Sequence, residues 1–157
     1  MLTDAQNDMR VLLLHLRPTE LENKTLQEGL QMILKELTDK SNIRVIYKNM
    51  VKKVPKRIEN NLFRIAQEFI SNTLKHAKAS QIEVYLYQNS QEIQLKMLDN
   101  GVGYDLNAST DEMSYGLKNI QERVDEMAGT VQFLSAKGKG TSIDVRVPIL
   151  RGENNVE

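Results

Sequence analysis

The chain has 157 residues, 40% of them apolar and 27% charged, which suits a single domain with a filled core and a well-hydrated surface. Lys plus Arg and Asp plus Glu number 21 each, so no net field favours nucleic acid or an anionic membrane surface. The absence of cysteine removes disulfides, thiolate nucleophiles and sulfur-ligated zinc, and two histidines are too few for a histidine-rich metal site.

No stretch approaches the roughly 18 apolar residues of a membrane span, and Met1 to Pro18 does not read as a secretory signal. Residues 5–17 read as a helix stopped by Pro18. Leu26, Leu30, Ile33, Leu34 and Leu37 predict a second helix over residues 24–39, and Ile43, Val45 and Tyr47 a short strand. A long helix follows Pro55, which suits a first-turn position; Leu62, Ile65, Ala66, Phe69, Ile70, Thr73, Leu74 and Ala77 fill one broad face of it. Ile82-Val84-Leu86 and Ile93-Leu95-Met97 alternate as two strands of a hairpin turning at Asn89-Ser90. Residues 104–114 lack periodicity and predict a mobile loop. Leu117, Ile120, Val124 and Met127 mark a helix ended by Gly129, and Val131-Phe133 and Ile143-Val145-Val147 close the chain as strands. From Arg151 the sequence is polar and predicts a disordered tail.

Helices and antiparallel hairpins in separate clusters imply an α+β fold, with helices covering one face of a sheet. Regular βαβ alternation, G-x-G-x-x-G and the Walker sequence are all missing.

Chemistry concentrates at four places. Glu68, Asn72 and Lys75, spaced i, i+4 and i+7, fall in a narrow arc beside the apolar face of the long helix. An acid, an amide and an amine in line suit a metal-triphosphate: the Asn72 amide oxygen can ligate Mg²⁺, Lys75 can face a phosphate, and Glu68 can accept a proton. A solvated helix face would present the same triplet. His76 borders the apolar arc, where packing accounts for it equally well. Asp99-Asn100-Gly101-Val102-Gly103 ends a strand in a carboxylate and turns through two glycines, which could serve an adenine amine or simply close a turn. Gly116-Leu117 opens a predicted helix, where backbone N–H groups could meet phosphate or the glycine could merely end a loop. Gly138-Lys139-Gly140-Thr141 reads locally as a hairpin turn. The order and spacing of all four favour a nucleotide pocket.

Together these residues resemble the GHKL (Bergerat-fold) ATPases, and within them the catalytic domain of bacterial sensor histidine kinases. Glu68, Asn72 and Lys75 match the N box, and Asp99-x-Gly101-x-Gly103 the G1 box. Gly116-Leu117 matches the G2 box, and Gly140-Thr141 the final glycine–threonine element. Glu68-x-x-x-Asn72, the short loop between glycine boxes and the run from Gly116 to Arg123 resemble the subclass paired with LuxR/NarL-type response regulators, nearest to VraS/LiaS-like cell-envelope-stress sensors.

The resemblance implies a Bergerat-type two-layer α/β sandwich with a mixed sheet, preceded by an N-terminal helical segment. Residues 1–18 would end a dimerisation and phosphotransfer region, 19–150 would form the ATP-binding domain, and 151–157 a polar tail. It further implies ATP and Mg²⁺ as cofactors, Glu68 as the catalytic acid–base group, and Asn72 as a metal ligand shared with phosphates. Asn72, Lys75, His76, Asp99, Gly101, Gly103, Gly116, Leu117, Gly140 and Thr141 would line the nucleotide site, with residues 104–115 as its lid. Expected partners are a LuxR/NarL-type response regulator, the protein's own phosphotransfer domain, and a second copy in the full-length kinase; no nucleic acid is expected. The subclass's acceptor histidine is followed by an acid, whereas Leu16 follows His15 and Ala77 follows His76. The resemblance therefore predicts a fragment lacking its acceptor, the cytoplasmic domain of a membrane-anchored sensor. Alternatives within the fold are an anti-sigma-factor serine kinase and a non-catalytic nucleotide-binding regulator.

Overall fold

The computed structural model describes residue 21, residues 24–105 and residues 111–153. The helix expected over residues 5–17, with His15, lies outside that set. Helix α1 (Leu26–Lys40) leads to strand β1 (Arg44–Met50) and helix α2 (Lys56–Asn72), which runs on into a single π-turn, Thr73–Ala77. The hairpin β2 (Gln81–Gln88) and β3 (Glu92–Asp99) follows, then helix α3 (Asp111–Glu126) and strands β4 (Thr130–Ser135) and β5 (Thr141–Pro148). The sheet order is β1-β2-β3-β5-β4, with β1 parallel to β2 and every other pair antiparallel. This is the mixed-sheet α+β sandwich expected from the sequence.

Strand alternation explains which face carries the helices. Ile82, Val84 and Leu86, Ile93, Leu95 and Met97, and Ile143, Val145 and Val147 are 0–1% exposed and join residues of all three helices in one core. Each such side chain contributes about 1.5–3 kcal/mol by leaving water. The same parity carries beyond the apolar run. Asp99 follows Met97 on the inner face, Thr141 precedes Ile143 on it, and the register pairs Asp99 with Thr141. The sheet thus places a carboxylate and a hydroxyl at the polar end of its own core.

Helix α1 begins with a capping box between Thr25 and Glu28, and the Glu59 carboxylate of α2 accepts from the Leu26 N–H at 2.6 Å. Burial pushes the Glu59 carboxyl up from its ordinary value. Pro55 is the N-cap of α2, one position ahead of the first turn. Ile58, Leu62, Ile65, Ala66 and Ile70 are fully buried on one stripe of α2, the helical spacing expected of it.

Two expectations need correction, the loop before α3 and the tail. The loop predicted over residues 104–114 is helical from Asp111; only residues 106–110 of it fall outside the description. The sequence hides this start because Asp111, Glu112 and Ser114 carry no apolar stripe, although acids favour a first helical turn. At its other end α3 stops before Gly129, as expected, and the left-handed residue there is Ala128 (φ 56°). The Gly129 N–H reaches the Val124 carbonyl at 3.0 Å, and a Cβ on Gly129 would sit 2.6 Å from the Arg146 carbonyl. Close approach to β5 is therefore what demands a glycine there. The tail is ordered as far as Glu153, because the Arg57 guanidinium grips the Glu153 carboxylate at 2.9 and 3.0 Å and donates to the Pro148 carbonyl at 2.7 Å. That pairing holds the Glu153 carboxyl below its ordinary value.

Candidate nucleotide site

The end of β3 is a hydrogen-bonded seat built around Asp99. Its Oδ1 accepts from the Gly101 N–H at 2.9 Å and the Thr141 N–H at 3.2 Å, and its Oδ2 accepts from the Thr73 hydroxyl at 2.9 Å. A carboxylate offers about four lone pairs, so these three bonds leave one on Oδ2. Gly140 (φ 74°) enters β5 so close to the Asp99 backbone that a Cβ would run into its carbonyl. Gly103 (φ 64°) is pressed in the same way against the Ala136 carbonyl. Both positions combine a positive φ with a backbone contact, so only glycine fits.

Ser135 ties the loop after Gly103 to the sheet. Its hydroxyl accepts from the Tyr104 N–H at 2.9 Å, donates to the Gly140 carbonyl at 3.1 Å, and lies 3.0 Å from the Thr141 hydroxyl. Burial, with the Asp99 charge added, raises the Tyr104 phenol above its ordinary value. Thr73, Tyr104 and Ser135 are site residues that the sequence reading did not single out. By spacing alone Thr73 reads as packing, since it continues the apolar arc of α2. The available signals were a hydroxyl next to Asn72 and a serine in register with Thr141.

A cavity of about 10 Å³ opens on Asp99, Thr73 and Thr141, with Asn72, His76, Tyr104 and Leu117 among its walls. That volume holds about one water. Glu68 faces a different space, a cleft of about 410 Å³ between α2 and α3 shared with Arg64, Gln67, Tyr115, Asn119 and Arg123. The two spaces share Ile120 in their walls, and Gly116 packs against both Glu68 and Asn72. A Cβ there would stand 2.5 Å from Glu68 Oε1 and 3.2 Å from Asn72 Nδ2. Gly116 lies in the second turn of α3, since the helix starts at Asp111. The expected role of its N–H at a helix start is thereby corrected: Gly116 is where α3 crosses the acid and the amide of α2.

Lys75 also departs from expectation. The i→i+5 bonding of the π-turn Thr73–Ala77 turns the chain less per residue, so positions after Asn72 fall behind the α-helical phase. Lys75 is exposed and lies outside the lining of both spaces, whereas His76 lines the small cavity. Among the described residues, the side chains of Glu68 and Asn72 make no hydrogen bond or ion pair. No group of three or more His, Cys, Asp or Glu among the described residues could hold a metal. A cation on Asn72 would therefore need oxygens from a ligand, which is how Mg²⁺ commonly binds phosphates.

Residues 57–151 match the family model described as "Histidine kinase-, DNA gyrase B-, and HSP90-like ATPase". The chain is 43% identical over 154 residues to the sensor histidine kinase LiaS of Bacillus subtilis, covering 96% of this chain and 42% of that protein. It is 40% identical over 157 residues to the sensor protein VraS of Staphylococcus saprophyticus, covering 100% of this chain and 45% of that protein. The chain thus spans under half the length of these relatives. Among solved structures, the histidine kinase domain of the Erythrobacter litoralis EL346 blue-light activated histidine kinase matches with TM-score 0.64 at 17% identity, over 83% of this chain and 64% of that one. The mycobacterial sensor histidine kinase MprB matches with TM-score 0.55 at 17% identity, over 78% of this chain and 92% of that one.

Proposed function

Because the chain belongs to the histidine kinase-, DNA gyrase B- and HSP90-like ATPase family, we propose that it is the ATP-binding catalytic domain of a two-component sensor histidine kinase, phosphorylating a histidine outside these 157 residues for relay to a response-regulator aspartate. The observation that carries this reading is the Asp99 seat, in which three internal bonds leave one carboxylate lone pair at a cavity wall. The 6-amino group of adenine is a donor suited to that lone pair, and guanine has a carbonyl in its place.

From the seat, the polar side chains run along α2 toward Asn72 and Glu68. The Asn72 amide would hold Mg²⁺ together with the phosphates, and that ion would neutralise charge on the transferred group. The Glu68 carboxylate accepts a hydrogen bond from one nitrogen of the acceptor imidazole, which turns the lone pair of the other nitrogen toward the γ-phosphoryl. Gly116 keeps the space between Glu68 and Asn72 clear of a side chain. His76 and Leu117 wall the base, and Lys75 lends only long-range countercharge.

The proposal extends to organisation. Residues 19–150 are the catalytic domain, residues 1–18 end a phosphotransfer region through which the full-length kinase dimerises, and residues 151–157 are a polar tail that Arg57 grips at Glu153. The names of LiaS and VraS support a sensor role. The run from Gly116 to Arg123 supports a LuxR/NarL-type regulator as partner. No helix among the described residues is long and apolar enough to cross a membrane, which accords with a domain held on the cytoplasmic side. The test is calorimetric titration with ATP, with and without Mg²⁺. ATP should bind in both cases and more tightly with Mg²⁺, and Asn72→Asp should abolish the metal-dependent gain. A chain that binds no ATP under either condition refutes the proposal.

A further inference from the structure

We propose that Thr73 is the positioning residue that makes this site selective for adenine, by fixing the plane of the Asp99 carboxylate. The inference rests on the reading of Asp99 as the acceptor of the adenine amine. Thr73 is 2% exposed and Asp99 8%, and they meet through the 2.9 Å bond from Oγ1 to Oδ2. The two backbone donors, from Gly101 and Thr141, both end on Oδ1. They anchor one oxygen and leave the other to be placed by something else. Thr73 is the remaining donor, and it takes one of the two Oδ2 lone pairs. The other lone pair is then held in one direction, at the wall of the cavity that Thr73 and Asp99 both line.

A second hydroxyl in the same fold shows what a helical threonine does without such a partner. Thr38 in α1 turns back and donates to the Leu34 carbonyl four residues earlier, at 3.0 Å. The equivalent acceptor for Thr73 is the Phe69 carbonyl, which receives the Thr73 backbone N–H but not its hydroxyl. A hydroxyl has one proton, and at Thr73 it goes across to β3 instead of back along the helix. Thr73 is also the first residue of the π-turn, where the chain leaves the α-helical phase. The hydroxyl and the turn thus act on the base through the Asp99 carboxylate, which is the group that meets the adenine amine.

The experiment compares ATP with purine riboside 5′-triphosphate, which lacks the 6-amino group, by calorimetry on the full 157-residue chain. Wild type should prefer ATP. Thr73→Val keeps the shape and removes the donor; it should weaken ATP about tenfold, within the range for a hydrogen bond to a charged group, and leave the analogue within about twofold. Thr73→Ser should restore the preference. Thermal melts verify folding, and Thr73→Ala carries the comparison if the valine variant does not fold. Equal weakening of both nucleotides, or no weakening of either, would make Thr73 a packing residue and overturn the proposal. A wild type that binds ATP and the analogue equally would overturn the adenine reading of Asp99 itself, and the proposal with it.

Discussion

The two ends of the candidate site are built in opposite ways. Around Asp99, every polar group named has an internal partner: the Gly101 and Thr141 N–H groups, the Thr73 hydroxyl, and Ser135 with Tyr104, Gly140 and Thr141. Around Glu68 and Asn72, among the described residues, the side chains have no hydrogen-bond or ion-pair partner, and α3 crosses them at a glycine. The base end is preorganised by the sheet, since Asp99, Ser135 and Thr141 lie on paired strands whose register is fixed by the core, with Thr73 reaching Asp99 from the π-turn. The phosphate end is spread over two helices and is complete only when ligand oxygens supply the missing partners. A cavity of about 10 Å³ next to a cleft of about 410 Å³ follows from the same division. On the proposed function, selectivity would reside where the side chains are internally paired and chemistry where, among the described residues, they are not. The smaller space holds about one water, so admitting a nucleotide would require the wall that Leu117 and Ile120 of α3 give it to move.

Substitutions at the two ends should separate binding from transfer. The largest effect is expected at the phosphate end. Glu68→Gln keeps the shape and removes the charge, so phosphoryl transfer to a separately supplied acceptor domain should fall roughly 10²-fold or more while ATP affinity stays near wild type. Transfer at the wild-type rate would reduce Glu68 to a surface acid. At the base end, Asp99→Ala strands the donors of Thr73, Gly101 and Thr141 and should cost about 1–3 kcal/mol of ATP affinity. Calorimetry with ATP and GTP checks it, because the variant should also lose its preference between them.

A smaller effect is expected where the two ends meet. Gly116→Ala puts a methyl group against the Glu68 carboxylate, the far end of a flexible side chain, so stability should change little. Transfer should nevertheless drop about tenfold as the carboxylate is displaced, with ATP affinity altered less. A loss confined to affinity would place Gly116 in the phosphate cradle instead. The smallest effect is expected at Tyr104. Its phenol is raised by burial and by Asp99, so it stays protonated through neutral pH in the folded and unfolded chain alike. Its contribution is present below the unfolded value near ten and is lost only as pH rises beyond that. Tyr104→Phe should leave ATP affinity within about threefold and flat between pH 6 and pH 9, measured by titration at each pH. A pH-dependent affinity that disappears in the variant would show the phenol titrating in the site.

Much of this architecture is written in local pattern. The alternation Ile93-Leu95-Met97-Asp99 states both the strand and the inward direction of the acid, because side chains on a strand repeat every second residue. The spacing of Leu62, Ile65, Ala66, Phe69 and Ile70 states the stripe of α2 and, by subtraction, the arc holding Glu68 and Asn72. Both patterns are visible because burial selects residue type at a fixed period. Other features have no such period. The start of α3 at Asp111 leaves no clear trace in the sequence, since Asp111, Glu112 and Ser114 are polar and Ser114 and Tyr115 are exposed. The π-turn that removes Lys75 from the arc is a change of hydrogen-bond partner, and composition does not encode it. The hydroxyls of Thr73 and Ser135 meet Asp99 and Tyr104 across 26 and 31 residues of chain. A threonine within an apolar arc reads as packing until the strand beside it is known. Sequence alone determined the elements, the direction of their faces and the identity of the charged groups. Tertiary structure alone decided which donor meets which acceptor, because that choice depends on distances between elements far apart along the chain.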